Sequence, residues 1–148
     1  MKDSKVYDCS IIQLRRHHSD RKGNLSVVSG GESVPFDIKR VYYIYDVPGG
    51  ESRGSHAHKN LHQLIIAVSG SFTVTVGDGE VRRSFRLDRP YMALHIVPGI
   101  WRTLDEFSSG AVCMVLASDI YDPDDYIRDY NEYLQYKGRN CDAVTEND

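Results

Sequence analysis

The sequence predicts an all-β protein, a small sandwich or barrel of short strands with one amphipathic helix at its C-terminal end. Two observations lead to this prediction. Runs rich in Val, Ile, Thr and Tyr recur about every 8–12 residues between Gly- and Pro-containing turns, which is typical of antiparallel sandwiches and barrels. Near the end of the chain, aromatic and apolar residues instead follow the spacing of one helix face.

The predicted strands alternate with turn signals along most of the chain. The turns are expected at residues 20–24, at Pro48-Gly49-Gly50, at the hairpin Gly77-Asp78-Gly79 and at Pro98-Gly99. The polar run of residues 15–18 is interpreted as a solvated turn, with contact to a phosphate as the alternative. The strands cover residues 9–14, 25–29, 38–46, 64–68, 72–76, 81–87, 91–97, 100–104 and 111–118.

The C-terminal segment carries the signals of a helix start. Asp122 is suited to the N-cap, Pro123 to the first helical position, and the acidic residues 124 and 125 to the first turn. The residues that then share one helix face are Tyr126, Ile127, Tyr130, Tyr133 and Leu134. The sequence therefore predicts an amphipathic helix of about four turns, followed by a frayed tail from Gly138.

Length, charge and cysteine content indicate a single-domain cytoplasmic protein. The 148 residues fit one domain spanning 1–148, and a formal net charge of -3 gives no electrostatic basis for binding nucleic acid or a membrane. No apolar run approaches the roughly 18 residues of a membrane-spanning helix, and no signal peptide is visible. Cys9, Cys113 and Cys141 are far apart, which favours reduced thiols over disulfides or a zinc site.

The most informative motif is the stretch of residues 53–63. His56 and His58 are two residues apart, and on a β-strand this spacing points both imidazoles to one face. Arg53 precedes the pair and Lys59 follows it. The two histidines and these two basic residues place four hydrogen-bond donors within a few residues, which suits the binding of an anion. The apolar run 64–68 comes next, which predicts that the histidines lie at the mouth of that buried strand. Such a pair either ligates a metal ion or supplies an acid or base near neutral pH.

A small β-barrel with this His-x-His motif resembles the cupins. Metal-binding cupins also have an acidic ligand a few residues further on and a last histidine after a Pro-x-Gly turn. Here His62 and Gln63 stand in place of the acidic ligand, and Arg102 stands in place of the last histidine. Arginine has no lone pair for a metal, and a neutral amide is a poor ligand for a divalent ion. The sequence therefore predicts no metal and no cofactor; a weak site of His56, His58 and His62 is the alternative.

Three runs extend the resemblance to a particular family. They are Lys39-Arg40-Val41-Tyr42-Tyr43-Ile44, then Arg53-Gly54-Ser55-His56-Ala57-His58-Lys59, then Val115-Leu116-Ala117-Ser118 with Tyr121-Asp122 and Asp125-Tyr126-Ile127-Arg128. Together they resemble the dTDP-4-keto-6-deoxyhexose 3,4-ketoisomerases, small bacterial cupins of sugar-nucleotide pathways. The resemblance covers about residues 23 to 133 and does not depend on the histidine motif alone.

The resemblance implies an activity and a set of site residues. The ketone at C4 of dTDP-4-keto-6-deoxyglucose moves to C3 through an enediol, without a cofactor, in the biosynthesis of a 3-amino-3,6-dideoxyhexose. By resemblance, His56 is the base at C3, and His58 is a second proton carrier or an orienting group. Tyr42 supplies a hydroxyl beside the sugar, Arg53 binds the diphosphate, and Lys59 contributes to the anion site.

Two further positions accompany the configuration of the product at C4 in this family, and here they are Lys22 and Arg102. Arg102, which follows the tryptophan, resembles the residue of the gluco-forming members, and it therefore favours the gluco product. Lys22 matches neither group. The family also implies a homodimer with exchanged N-terminal strands, for which the first strands and the Tyr-rich strand of residues 41–45 are suited. Core packing is the alternative explanation of these tyrosines.

Three other functions are compatible with parts of the sequence. A dTDP-4-keto-sugar 3,5-epimerase acts on the same class of substrate, but its His–Asp dyad has no evident counterpart here. A metal-dependent cupin oxygenase is disfavoured by the missing last histidine. A non-catalytic protein that binds nucleotide-linked sugars needs the same arginines and tyrosines, so only activity separates it from an isomerase.

Overall fold

Antiparallel strands form nearly all of the regular structure in residues 2–139, the part of the chain that the computed structural model describes. The first strands are β1 (Ser10–Gln13), β2 (Arg16–Ser19), β3 (Gly23–Ser26), β4 (Arg40–Tyr45), β5 (Arg53–His58) and β6 (Gln63–Ser69). The next are β7 (Phe72–Gly77), β8 (Arg82–Leu87), β9 (Met92–Ile96), β10 (Trp101–Asp105), β11 (Val112–Ala117) and β12 (Tyr126–Ile127). One α-helix, α1 (Tyr130–Tyr136), follows them.

Two five-stranded sheets enclose the main core. Their strand orders are β1-β9-β6-β11-β4 and β12-β5-β10-β7-β8, and β2 and β3 form a separate hairpin. One continuous cluster of buried side chains joins Ile65 and Val115 of the first sheet to Phe72 and Leu104 of the second. The sheets therefore face each other as a cupin-type jelly roll, and the predicted all-β class with a C-terminal helix is confirmed.

The predicted position of the histidine pair relative to strand 64–68 is wrong. His56 and His58 end their own strand, β5, which lies in the second sheet, whereas β6 lies in the first. The chain leaves the second sheet after β5, where the backbone N–H groups of Lys59 and Asn60 donate to Asp125, at 2.9 and 2.7 Å, instead of to a neighbouring strand.

Residues 16–18 of the polar run lie in strand β2 and not in the predicted solvated turn. β2 pairs with β3 in a hairpin whose register matches Arg16 with Ser26 and Ser19 with Gly23. Gly23 adopts a φ of 82°, which favours glycine at the end of this tight connection. The strand predicted at 25–29 therefore begins earlier. The hairpin lacks apolar alternation, so a pattern search does not detect it.

The predicted four-turn helix is also wrong in its start and length. Asp122 caps a single 3-10 turn, Pro123–Asp125, and β12 then pairs with β5 by matching Tyr126 to His58 and Ile127 to Ala57. The α-helix begins only after Asp129, whose carboxylate accepts the N–H of Glu132, and it ends at Tyr136. Strand pairing at the edge of the sheet prevails here over helical spacing. Most of the predicted frayed tail, residues 140–148, lies outside the described residues.

Helix α1 covers the second sheet through a buried tyrosine. Tyr133 is fully buried, and its hydroxyl donates to the carbonyls of Gly99 and Gly77 at 2.7 and 3.1 Å. It packs with Ala57 and Ile127 in a small cluster of its own. None of the helical segments in residues 2–139 has the length and hydrophobicity that crossing a bilayer requires.

The N-terminal segment is attached to the second sheet by Asp78, in the predicted hairpin turn. One carboxylate oxygen accepts the N–H groups of Glu80 and Val81, both at 2.9 Å, and the other accepts the N–H of Val6 at 3.1 Å. Burial works to raise the pKa of Asp78, yet these backbone donors, aided by Lys137, lower it overall.

Asp78→Asn is expected to destabilise the fold by about 1–3 kcal/mol at pH 7, because an amide NH₂ would face the N–H of Val6. The depressed pKa makes this contribution fully present above the unfolded pKa of about 4, and it disappears as the pH falls through the folded value. Urea unfolding at pH 7 and in acid measures both effects. The exposed Asp88→Asn is the control; equal stability of the two variants at pH 7 would contradict the assignment.

Candidate active site

The two histidines of β5 point into the barrel, as their spacing predicts. His58 is fully buried, while His56 is partly exposed in a cavity. Their Nε2 atoms lie 3.1 Å apart, and the two rings are perpendicular. At this distance one imidazole donates a hydrogen bond to the other, so the pair forms one hydrogen-bonded unit.

A carboxylate that the sequence analysis did not select completes this unit. Asp125 Oδ2 lies 3.0 Å from His58 Nδ1, and Asp125 Oδ1 accepts the N–H of Asn60 at 2.7 Å. The capping signals predicted Asp125 in the first turn of a helix, so no contact with the histidines was expected. The chain therefore contains a His–Asp pair, and the expectation that it has none is wrong.

The cavity beside His56 has a volume of about 390 Å³ and opens to solvent. Of the predicted site residues, the structure brings His56, Tyr42, Arg53 and Arg102 together in its wall. The rest of the lining comes from Tyr43, Ile44, Gly54, Ser55, Ile65, Leu104, Val115, Tyr126 and Arg128. Aromatic walls with a few converging cations suit a ring that carries an anionic group.

Two predicted binding residues do not line this cavity within one chain. Lys59 is exposed at the end of β5, with its backbone N–H bonded to the carbonyl of Asp125. Lys22 lies in the exposed turn between β2 and β3, where its backbone N–H donates to Ser19 Oγ.

A hydrogen-bonded chain links the two sheets across the cavity. Arg102 Nη1 donates to Gln63 Oε1, and Gln63 Nε2 donates to the hydroxyl of Tyr42 at 3.0 Å. Because Tyr42 accepts this bond, its own proton is available to a ligand. Arg102 is 2% exposed, and its Nε and Nη2 groups have no acceptor among residues 2–139. The hydroxyl of Tyr42 and the guanidinium of Arg102 thus face the same cavity.

The segment after Asp125 also contributes to the site. The ring of Tyr126 contacts both histidines, with centroid distances of 5.1 Å to His56 and 4.3 Å to His58. Arg128 stacks on Tyr126, its guanidinium carbon 4.1 Å from the ring centroid. Neither Tyr126 nor Arg128 was predicted as a site residue, because the segment was predicted to be helical. The strand pairing that turns Tyr126 inward was therefore not expected.

Burial keeps the histidines neutral. Burial, followed by the charges of Arg102 and Arg128, lowers the pKa of His56 to about 3. Burial and Arg102 likewise lower the pKa of His58, and burial raises the pKa of Tyr42. At neutral pH, His56 is therefore an imidazole with a lone pair available to accept a proton, and Tyr42 keeps its proton.

The three-histidine metal site considered from the sequence does not form. His62 Nδ1 instead lies 3.0 Å from His95 Nε2, and both rings pack on Phe36. In the described part of the chain, no three His, Cys, Asp or Glu side chains are grouped so that they could hold a metal ion.

The fold and site define a class of protein: a cupin with a neutral, hydrogen-bonded histidine pair, one ring of which lines a cavity that also contains arginines. The FdtA family model, described as WxcM-like, C-terminal, matches residues 7–138. The chain therefore belongs to this family.

Three characterised relatives are similar over most of their length. A TDP-4-oxo-6-deoxy-alpha-D-glucose-3,4-oxoisomerase from Aneurinibacillus thermoaerophilus is 44% identical over 117 residues, 79% of this chain and 84% of that protein. A 3,4-ketoisomerase from Helicobacter canadensis has a TM-score of 0.85 and 40% identity, covering 88% and 98% of the two chains. A mutant of the 3,4-ketoisomerase QdtA from Thermoanaerobacterium thermosaccharolyticum, in complex with TDP-4-keto-6-deoxyglucose, has a TM-score of 0.86 and 38% identity, covering 91% and 98%.

The lowered pKa values predict which histidines titrate. Between pH 8 and pH 5, the ring signals of His56 are expected to stay at their neutral positions, because its pKa is about 3. His18 is the internal control: its hydrogen bonds to Asn24 and Asp20 raise its pKa from the usual value of about 6.5, so it protonates at a higher pH than His56. A titration followed by ¹⁵N-histidine NMR tests this, and a midpoint near 6.5 for His56 would contradict it.

Proposed function

We propose that the chain is a TDP-4-keto-6-deoxyhexose 3,4-ketoisomerase, an isomerase that exchanges a keto and a hydroxyl group without a cofactor. The observation that carries the proposal is the meeting of a neutral His56 with the donors of Arg102 and Tyr42 in one cavity. Ketoisomerase relatives that are 38–44% identical support the same activity.

His56 is proposed as the base. It would accept the proton from C3, next to the C4 ketone, and later return a proton to C4. A positioned base of this kind contributes about 10²–10⁴ to a rate. A bound diphosphate also places negative charge in a cavity whose guanidiniums lower the pKa of His56, so substrate binding is expected to make His56 a stronger base.

Arg102 and Tyr42 are proposed to stabilise the enediol. Removal of the C3 proton shifts negative charge onto the C4 oxygen, and buried donors aimed at that oxygen lower the barrier. Arg102 has Nε and Nη2 available for this purpose, and Tyr42 has its hydroxyl proton. The proton on O3 leaves as the new ketone forms, and the C4 oxygen gains one, so the reaction conserves atoms and electrons.

Arg53 and Arg128 are proposed to bind the diphosphate. Both lie in the wall of the cavity, and guanidinium groups match phosphate oxygens in geometry and charge. Lys59 would add positive charge from the end of β5. The proposed substrate is TDP-4-keto-6-deoxyglucose, the ligand held by the QdtA mutant, and the 3-keto product would feed the formation of a 3-amino-3,6-dideoxyhexose.

A homodimer that exchanges N-terminal strands is proposed, because the outer face of the first sheet exposes apolar side chains. This face carries exposed Val41, Tyr43 and Tyr45 on β4 and an apolar groove of about 560 Å³. The β2–β3 hairpin pairs with no other strand of the described chain and exposes Leu25. Exchange would cover these apolar surfaces.

Such an exchange would bring Lys22, at the tip of the hairpin, to the cavity of the partner. There it would act with Arg102 on the configuration at C4, for which the gluco product is proposed.

A 3,5-epimerase is the second candidate, because the His58–Asp125 contact provides the His–Asp pair that it requires. A binding protein without activity remains the third reading. We also propose one domain and a cytoplasmic location. Cys9 and Cys113, both free thiols buried in the core, are compatible with a reducing compartment.

Proton NMR in D₂O is the direct test of the proposed reaction. Purified, chelator-treated protein is expected to convert TDP-4-keto-6-deoxyglucose to a 3-keto sugar with deuterium incorporated into the ring at C4. His56→Asn is expected to lower kcat by at least about 10²-fold while TDP affinity changes little, because His56 does not hold the nucleotide.

His62→Asn is the matched control, since His62 contacts His95 and not the cavity. The control is expected to keep activity within about threefold of wild type. Exchange at C5 would favour the epimerase. Tight TDP binding without exchange would leave a binding protein, and equal losses of binding and turnover in His56→Asn would contradict its role as base.

The proposed dimer predicts a sedimentation mass of twice the 16.8 kDa chain. Tyr43→Glu is expected to shift the protein toward monomers, because it places a charge on the apolar face of the first sheet. Val81→Glu is the control, because it adds the same charge at an exposed apolar residue between β7 and β8 of the second sheet, away from that face. A monomeric wild-type protein at micromolar concentration would refute the proposal.

A further inference from the structure

We infer that Asp125 is a positioning residue that acts through His58 to determine which nitrogen of His56 carries the lone pair. The inference rests on the proposed function, in which His56 is the base. It concerns a residue that lies behind the histidines, in contact with His58 and not with the cavity.

Three contacts position Asp125 beside β5. Its Oδ1 accepts the N–H of Asn60 at 2.7 Å, so Oδ2 is the oxygen that faces His58 Nδ1. The carbonyl of Asp125 accepts the N–H of Lys59 at 2.9 Å, and the next residue, Tyr126, pairs with His58 in the sheet. Contacts of Asp125 itself and the pairing of Tyr126 together fix the position of the carboxylate relative to β5.

The hydrogen bonds then define the tautomers of both histidines. A carboxylate only accepts, so His58 must carry its proton on Nδ1. A neutral His58 therefore has its lone pair on Nε2, which faces His56 Nε2 at 3.1 Å. His56 must donate from Nε2, and its own lone pair is then on Nδ1. Asp125, two contacts away, thus selects Nδ1 of His56 as the nitrogen that accepts the proton.

The charges around the pair make this carboxylate important. Besides Asp125, the groups that act on His58 are His56 on its own strand, Arg102 of β10, Arg40 of β4 and Arg128 after β12, and each of these four disfavours a positive charge on His58; Arg102 and Arg128 do the same to His56. When His56 accepts a proton, Asp125 opposes these guanidiniums through His58. The imidazolium is stabilised because His58, held by the carboxylate, accepts its Nε2–H.

Asp125→Asn tests the inference with little change in shape. The N–H of Asn60 would hold the amide oxygen, so the NH₂ group would face His58 Nδ1. His58 would then have to accept at Nδ1 and donate from Nε2, which places a proton on His56 Nδ1 and blocks it as a base. We expect kcat to fall by about 10²-fold or more, with KM and TDP affinity within about threefold of wild type.

Asp122→Asn is the matched control. It makes the same chemical change in the same 3-10 turn, but Asp122 caps Asp124 and does not contact His58. Because asparagine caps as well as aspartate, this variant is expected to keep kcat within about twofold. The control separates loss of the His58 contact from loss of a carboxylate in the turn.

The ¹⁵N-histidine NMR spectrum gives a readout independent of activity. Wild-type protein is expected to show His58 protonated on Nδ1 and His56 on Nε2, with both tautomers reversed in Asp125→Asn. The opposite tautomers in wild-type protein would overturn the inference even if the variant failed to fold. Equal kcat in Asp125→Asn and Asp122→Asn would overturn it as well, whereas a wild-type protein without isomerase activity but with these tautomers would overturn the proposed function alone.

Discussion

The interaction on which the site depends is the hydrogen bond between the buried guanidinium of Arg102 and Gln63. Arginine stays charged at any physiological pH, and its burial inside a barrel requires polar partners. Gln63 supplies one from the opposite sheet and is itself fully buried. The charge of Arg102 in turn helps to keep His56 and His58 neutral. The cavity is therefore electropositive and basic at once, which suits an anionic intermediate formed by proton removal.

The site exists only where the two sheets close on each other. His56 and Arg102 are register partners in β5 and β10 of the second sheet, while Gln63 and Tyr42 belong to β6 and β4 of the first. The hydrophobic core shared by both sheets holds these strands face to face. Substitutions in this core would therefore change the geometry of the hydrogen bonds among Arg102, Gln63 and Tyr42 even at positions that do not contact these residues, since packed interiors transmit displacements.

The C-terminal segment joins the stability of the barrel to the chemistry of its site. Strand β12 covers the open edge of β5 and turns Tyr126 inward, and Tyr133 of the helix then secures the segment to the carbonyls of Gly77 and Gly99. The same pairing places Asp125 against His58. An edge strand that would otherwise be exposed is thus protected by a segment that also completes the hydrogen bonds of the histidine pair.

The sequence by itself determined the all-β class, most strand positions and the shared face of His56 and His58, because strand alternation and turn residues are local properties. It also indicated Tyr42 and Arg102 through a resemblance of motifs. Tertiary structure alone decided that Tyr126 and Ile127 pair as a strand, that Asp125 contacts His58, and that His62 turns away to His95. Helical spacing and caps are short-range signals, whereas these contacts join residues far apart in the chain and arise only when the sheets pack.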